Sequence, residues 1–230
     1  MKVLKLPNAQ AVFVHDDIDA ISIAVAQRIY EIATLAMAAR GVFHIALAGG
    51  ETPRRCYQRL RDFDLDWQLI HVYFGDERCL PSGDNSRNDT MVRQTLLDHI
   101  VIPSANVHNI PAQFGARVAT ADYAALLSDV VLDLVLLGMG EDGHTASLFP
   151  GNPATVSTAV VVPVFNAPKP PAERVTLGIN TLNAARQKIF LVAGAGKHDA
   201  LEQILLGTAL PAARVTAAEW HLDRSAIAGC

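Results

Sequence analysis

The residues best suited to chemistry fall in four short segments, each following an apolar run: AGGETP at 48–53, GDERCLP at 75–81, GMGEDGHTASLFP at 138–150 and GAGKHD at 194–199. His144 follows an Asp142-Gly143 step. An imidazole titrating near neutrality there can act as a general base once a carboxylate fixes its tautomer. Asp142 and Asp76 are both candidates for that carboxylate, and the sequence does not choose between them. A lone histidine reads equally well as a structural or merely exposed residue.

The remaining segments point to an anion. Gly49 and Gly50 form a turn that feeds a helix, with Thr52 read as its N-cap and Pro53 in the first turn, so the backbone N–H groups of Gly49, Gly50, Glu51 and Thr52 are offered to a ligand. Asp76, Glu77 and Arg78 follow a strand as a charged loop, where the arginine can fork onto a phosphate. Ser86 and Asp89 then read as the cap of the next helix. Lys197 opens a helix, where a cation opposes the macrodipole unless an anion is bound beside it. Arg174, leading the strand RVTLGI, is a second candidate anion contact. Each segment alone also reads as an ordinary turn or a solvated flank.

Other chemistries are excluded by pattern. Gly138, Gly140 and Gly143 spell GxGxxG after a strand, but Glu141 and Asp142 would repel a pyrophosphate, and no acidic residue follows at the distance a ribose needs. There is no HExxH and no i, i+4 histidine pair, so no metal is expected, and no GxSxG marks a nucleophilic serine. A hydrolase built from these residues would use an activated water.

The elements that must position these residues alternate. A helix over 16–40 carries Ile18, Ile21, Val25, Ile29, Ile32 and Ala36 on one stripe. Apolar runs at 42–49, 69–75, 132–138, 158–165, 174–179 and 188–194 read as strands buried on both faces, with helices at 53–61, 86–98, 117–129 and 197–206. This is the α/β class: an open, mostly parallel Rossmann-like sheet flanked by helices on both faces, one domain over 1–230. NAPKPPAE at 166–173 reads as a surface loop. In such sheets ligands bind beyond the carboxyl ends of the strands, where the four segments lie.

The chain has 19 Lys and Arg against 23 Asp and Glu among 230 residues, giving a net charge of −4. With no basic tract, no nucleic-acid partner is expected. MKVLKLPNAQAVFVHDD holds too short an apolar run for a secretory core, and no uncharged stretch reaches the ~18 residues of a membrane span. Three cysteines, Cys56, Cys79 and Cys230, form no pattern, so a reducing, cytoplasmic location is expected. Monomer and homodimer are both compatible with the sequence.

Taken with RVTLGINTLNAAR at 174–186, the segments AGGETP (48–53), FGDERCLPSGDNSRND (74–89), GMGEDGHTASLFPG (138–151) and LVAGAGKHDAL (191–201) resemble the 6-phosphogluconolactonase family, which groups with the glucosamine-6-phosphate deaminases. The resemblance implies hydrolysis of a small sugar-phosphate lactone, 6-phosphoglucono-1,5-lactone, without a cofactor. It implies His144 as the catalytic base, and Arg78, Lys197 and Arg174 with the 49–52 amides as the phosphate grip. Asp76 would lie by the sugar hydroxyls or orient the histidine. Glu51 departs from the family's usual Ser or Thr, and it is expected to turn to solvent. The deaminase branch has a glutamate five positions after the histidine, where this chain has Phe149. A non-catalytic sugar-phosphate sensor is the rival outside enzymes.

Overall fold

The computed structural model describes residues 6–228. Met1–Lys5, part of the leader reading, and Cys230 lie outside the described residues. The chain runs β1 (Ala9–His15), α1 (Ile18–Arg40), β2 (Phe43–Leu47), α2 (Glu51–Leu60), β3 (Ile70–Phe74), β4 (Asp76–Arg78), α3 (Asn88–Thr95), α4 (Ala116–Leu126), β5 (Leu134–Gly138), β6 (Val161–Val164), β7 (Arg174–Leu177), α5 (Ile179–Ala184), β8 (Gln187–Val192), α6 (His198–Leu205) and β9 (Ala218–Asp223).

Six strands form one parallel sheet in the order β1-β9-β8-β5-β2-β3. From β2 the chain steps outward to β3, then returns to the other side of β2 for β5, β8 and β9. The direction of winding therefore switches between β2 and β5, which opens a crevice at the carboxyl ends of those strands.

Helix α1 forms for the reasons its sequence gives. The Asp17 carboxylate accepts from the Ala20 N–H at 2.8 Å, and Gly41 closes the helix at φ 73°. Its stripe of Ile21, Val25, Ile29, Ile32 and Ala36 is buried in the core. By length and composition α1 alone among the described helices is long and apolar enough to cross a membrane. It carries Asp19, Arg28 and Glu31, and Arg28 makes a 2.7 Å ion pair to Glu219 on β9.

Two parts of the sheet assignment differ from expectation. The runs at 158–165 and 174–179 do not join the main sheet; β6 and β7 pair antiparallel with β4 in a separate three-stranded sheet. The expected charged loop at 76–78 is that sheet's edge strand, its Glu77 fully buried. Strand β9 also escapes the apolar-run reading, because AEWHLD mixes charge with apolar residues although all six are buried. Its charges have partners: Asp223 accepts from the Gly194 and Ala226 N–H groups at 2.8–3.1 Å, and Glu219 pairs with Arg28 of α1.

Candidate active site

The crevice at the switch point is a cavity of about 380 Å³, and its walls include Gly49, Gly50, Glu51, Thr52, Asp76, Arg78, His144, Arg174 and Lys197. Five segments supply them: the turn from β2 into α2, strand β4, the turn after β5, the start of β7 and the turn after β8, so the fold gathers residues spread over about 150 positions. Asp142 stands just behind the wall. Its Oδ1 lies 2.5 Å from His144 Nδ1.

That contact depends on backbone shape. The turn 138–144 doubles back with Gly143 at φ 76°, and the Gly140 N–H donates to the His144 carbonyl at 2.8 Å. A Cβ at Gly140 would overlap the His144 ring and the Asp142 carboxylate. The GxGxxG spacing therefore builds a tight loop, and no helix follows it before Pro153. A dinucleotide fingerprint needs that helix.

The electrostatics fix the tautomer. Burial raises the Asp142 carboxyl, but the hydrogen bond and charge of His144 outweigh it and hold the group below its ordinary value. An ionised carboxylate only accepts, so Nδ1 carries the proton and the Nε2 lone pair is left to the cavity. Burial pushes the His144 imidazole below its usual 6.5, with Asp142 pulling the other way. The ring leans on Phe149, centroids 4.5 Å apart.

Asp76 is held from two sides: Ser147 Oγ donates to Oδ2 at 2.5 Å and Asn88 Nδ2 to Oδ1 at 3.1 Å. It faces the cavity and does not bond His144. Asn88 sits tightly against Gly49, where a Cβ would strike its amide. The glycine turn therefore lies directly beside Asp76.

Around these groups stand the cations. Arg78 donates from Nη1 to the Ser86 carbonyl at 2.5 Å, and its Nε is buried without a partner among the described residues. Lys197 precedes α6, its ammonium pushed down by burial. Glu51 is exposed and turned along α2, with Oε1 accepting from Arg55 Nε at 3.1 Å and Arg54 at 3.7 Å from Oε2. Only its backbone N–H is left on the cavity side.

Residues 16–223 match the model of the glucosamine-6-phosphate isomerases/6-phosphogluconolactonase family. The chain belongs to this family. It is 35% identical to the 6-phosphogluconolactonase of Mycobacterium tuberculosis over 96% of this chain and 98% of that one. With the enzyme of the same name from Synechocystis it shares 39% identity over 77% of this chain and 78% of the other. The crystal structure of 6-phosphogluconolactonase from Thermotoga maritima superposes with a TM-score of 0.86 at 28% identity, covering 92% of this chain and 98% of that one. The chain is thus an enzyme of the 6-phosphogluconolactonase kind by relationship.

Two expectations about capping change in detail. Helix α2 starts at Glu51 with Gly50, φ 107°, at the N-cap position, so Thr52 lies inside the first turn and makes no side-chain cap. The turn into α2 needs a left-handed residue that threonine adopts poorly. Helix α3 is not capped by Ser86: the Glu77 carboxylate accepts from the N–H groups of Asn88 and Asp89, both at 2.8 Å, and from Arg78 at 2.7 Å. Burial pushes Glu77 up to about 7 against these three amides. Arg174 lines the cavity, yet its Nε donates to the Pro171 carbonyl at 3.2 Å and its Nη2 to Lys169 at 3.0 Å and Pro170 at 3.3 Å. Those bonds hold the proline-rich loop at the cavity wall, and Nη1 makes none among the described residues.

Lys169, on that loop, also lines the cavity. Sequence reading missed it because a proline-rich stretch between two strands carries no signal of where it folds back. Ser147 and Asn88 were missed as supports of Asp76, since their partners lie 71 and 12 residues away.

Proposed function

We propose that this chain hydrolyses 6-phosphoglucono-1,5-lactone to 6-phosphogluconate, the whole chain acting as one domain in the cytoplasm. The reading is carried by one observation: a histidine with Nδ1 tied to a carboxylate and Nε2 free in a cavity ringed by cations. The names of the relatives support the substrate, and the cation ring suits a dianionic phosphate in a protein of net negative charge.

In the proposed reaction His144 Nε2 takes a proton from water as its oxygen attacks the C1 carbonyl. The tetrahedral oxyanion collapses, the bond from C1 to the ring oxygen breaks, and the imidazolium returns its proton to that oxygen. The carboxylic acid so formed ionises to carboxylate and a free proton. Asp142 stabilises the imidazolium and keeps Nδ1 protonated throughout. Arg78, Lys197 and the free N–H groups at the start of α2 hold the phosphate. Asp76, fixed by Ser147 and Asn88, accepts from sugar hydroxyls.

The test is to generate the lactone in place with glucose-6-phosphate dehydrogenase and follow its loss, with ammonia release from glucosamine 6-phosphate measured beside it. Lactone decay well above the spontaneous rate without ammonia is the expected result. Ammonia release without accelerated decay would move the chain to the deaminase branch, and neither would leave a binding protein.

A further inference from the structure

The peptide that joins Gly143 to His144 is held at both of its polar ends. Its N–H, which belongs to His144, donates to Asp142 Oδ1 at 3.3 Å, and its C=O, which belongs to Gly143, accepts from the Ala212 N–H at 3.0 Å. A peptide unit is planar, so two such bonds fix the direction in which His144 leaves the turn. The same Oδ1 receives Nδ1 of the ring. Rotation of this one peptide would therefore draw the imidazole away from its carboxylate.

The outer bond comes from a distant part of the chain that does not line the cavity. Ala212 lies in a 3-10 turn, Pro211–Arg214, on the connection from α6 to β9. Pro211 restricts the backbone where that turn begins, and Arg214 ties its far end by donating from Nη1 to the Thr155 carbonyl at 2.5 Å. Pro211, Ala212 and Ala213 are buried. Just ahead of them, Leu210 packs on the open side of Gly143, where an added Cβ would strike the leucine side chain. Gly143 stands at φ 76°, and a glycine has no Cβ of its own to hold it there. Leu210 occupies the space beside it.

We propose that Leu210 is a positioning residue for the Asp142–His144 pair, closing on Gly143 while the neighbouring Ala212 N–H pins its carbonyl. It acts through the turn and not on the ligand. The consequence for chemistry rests on the lactonase reading: a base whose Nδ1 stays protonated keeps its Nε2 lone pair available for water.

The experiment reads the His144 ring directly, by nitrogen-15 NMR at a pH where the imidazole is neutral, its signals identified by their loss in His144→Gln. Lactone decay is followed beside it. In the parent the ring should be in the Nδ1–H form. Leu210→Ala should bring in the Nε2–H form, which a free imidazole favours in water, and lower kcat roughly tenfold to a hundredfold with 6-phosphogluconate affinity within about twofold. Leu210→Met, of similar volume, should restore both. If the alanine variant does not fold, Leu210→Val is read in the same way with a smaller shift. A ring that stays in the Nδ1–H form in the truncated variants would overturn the proposal, because a leucine that only packs lowers the unfolding midpoint and leaves the tautomer alone. A tautomer shift with kcat unchanged in an active enzyme would overturn it as well. The same shift in a protein whose parent leaves lactone decay unaccelerated would sustain the positioning role and refute the hydrolase reading. A parent ring already in the Nε2–H form would overturn both.

Discussion

Asp142 and His144 are separated in sequence by a single glycine, yet Oδ1 and Nδ1 meet at 2.5 Å with the ring on the far side facing the cavity. In a strand, residues two apart share a face but stand roughly 6.5 Å apart along it, at ~3.3 Å per residue. Here the doubled-back turn, with Gly143 at φ 76° and Gly140 pressed against both side chains, turns them toward each other.

Gly140→Ala should therefore act on catalysis more than on stability. The added methyl displaces the imidazole, and a misplacement of roughly 1 Å costs on the order of 10²-fold in rate. Turnover should fall by about that factor while the unfolding midpoint in urea moves little. A comparable collapse of the midpoint would mean the loop is needed for folding instead.

The pH profile follows from the base. Burial lowers the His144 pKa below 6.5, and a base works only when unprotonated, so kcat/KM should be level at neutral pH and fall with one proton as pH drops through that lowered value. Asp142→Asn removes the partner that raises the pKa, so the acid limb should move to lower pH while the plateau drops. A limb that moves upward would contradict the pairing.

Arg78 should serve binding. Its side chain lines the cavity and its Nε has no partner among the described residues, and Arg78→Ala should raise KM roughly tenfold to a hundredfold with a smaller change in kcat, the pattern for an interaction made equally in ground and transition states. Steady-state kinetics on the lactone decide this.

Glu77 should matter for stability rather than for chemistry. Its two oxygens accept three backbone N–H groups. Glu77→Gln would turn one acceptor into a donor facing a donor, costing on the order of 1–3 kcal/mol of unfolding free energy. Urea denaturation with unchanged slope would show it.

Much of this site was legible in the sequence because its parts follow strand ends. Gly49, Asp76, His144 and Lys197 each lie just past an apolar run, and in a parallel sheet wound from a switch point such positions converge. What escaped had no such marker. Glu77 looked like part of a solvated charged turn because its capping partners follow a loop. Arg174 lines the cavity as its reading asked, but its three carbonyl partners leave no trace in residue type. Strand β9 was hidden by buried charges whose partners lie on other elements, such as Arg28 for Glu219. For Glu77 and Glu219 the deciding contacts lie 11 and 191 residues away, while local pattern records only burial and period.

The role of His144 as the base is tested most directly by comparing lactone decay with the parent protein and with His144→Ala, each checked for 6-phosphogluconate binding. The expected result is a fall in kcat of ~10²–10⁴-fold with binding retained, the usual worth of a positioned general base. A variant that binds the product and still hydrolyses lactone at the parental rate would contradict it.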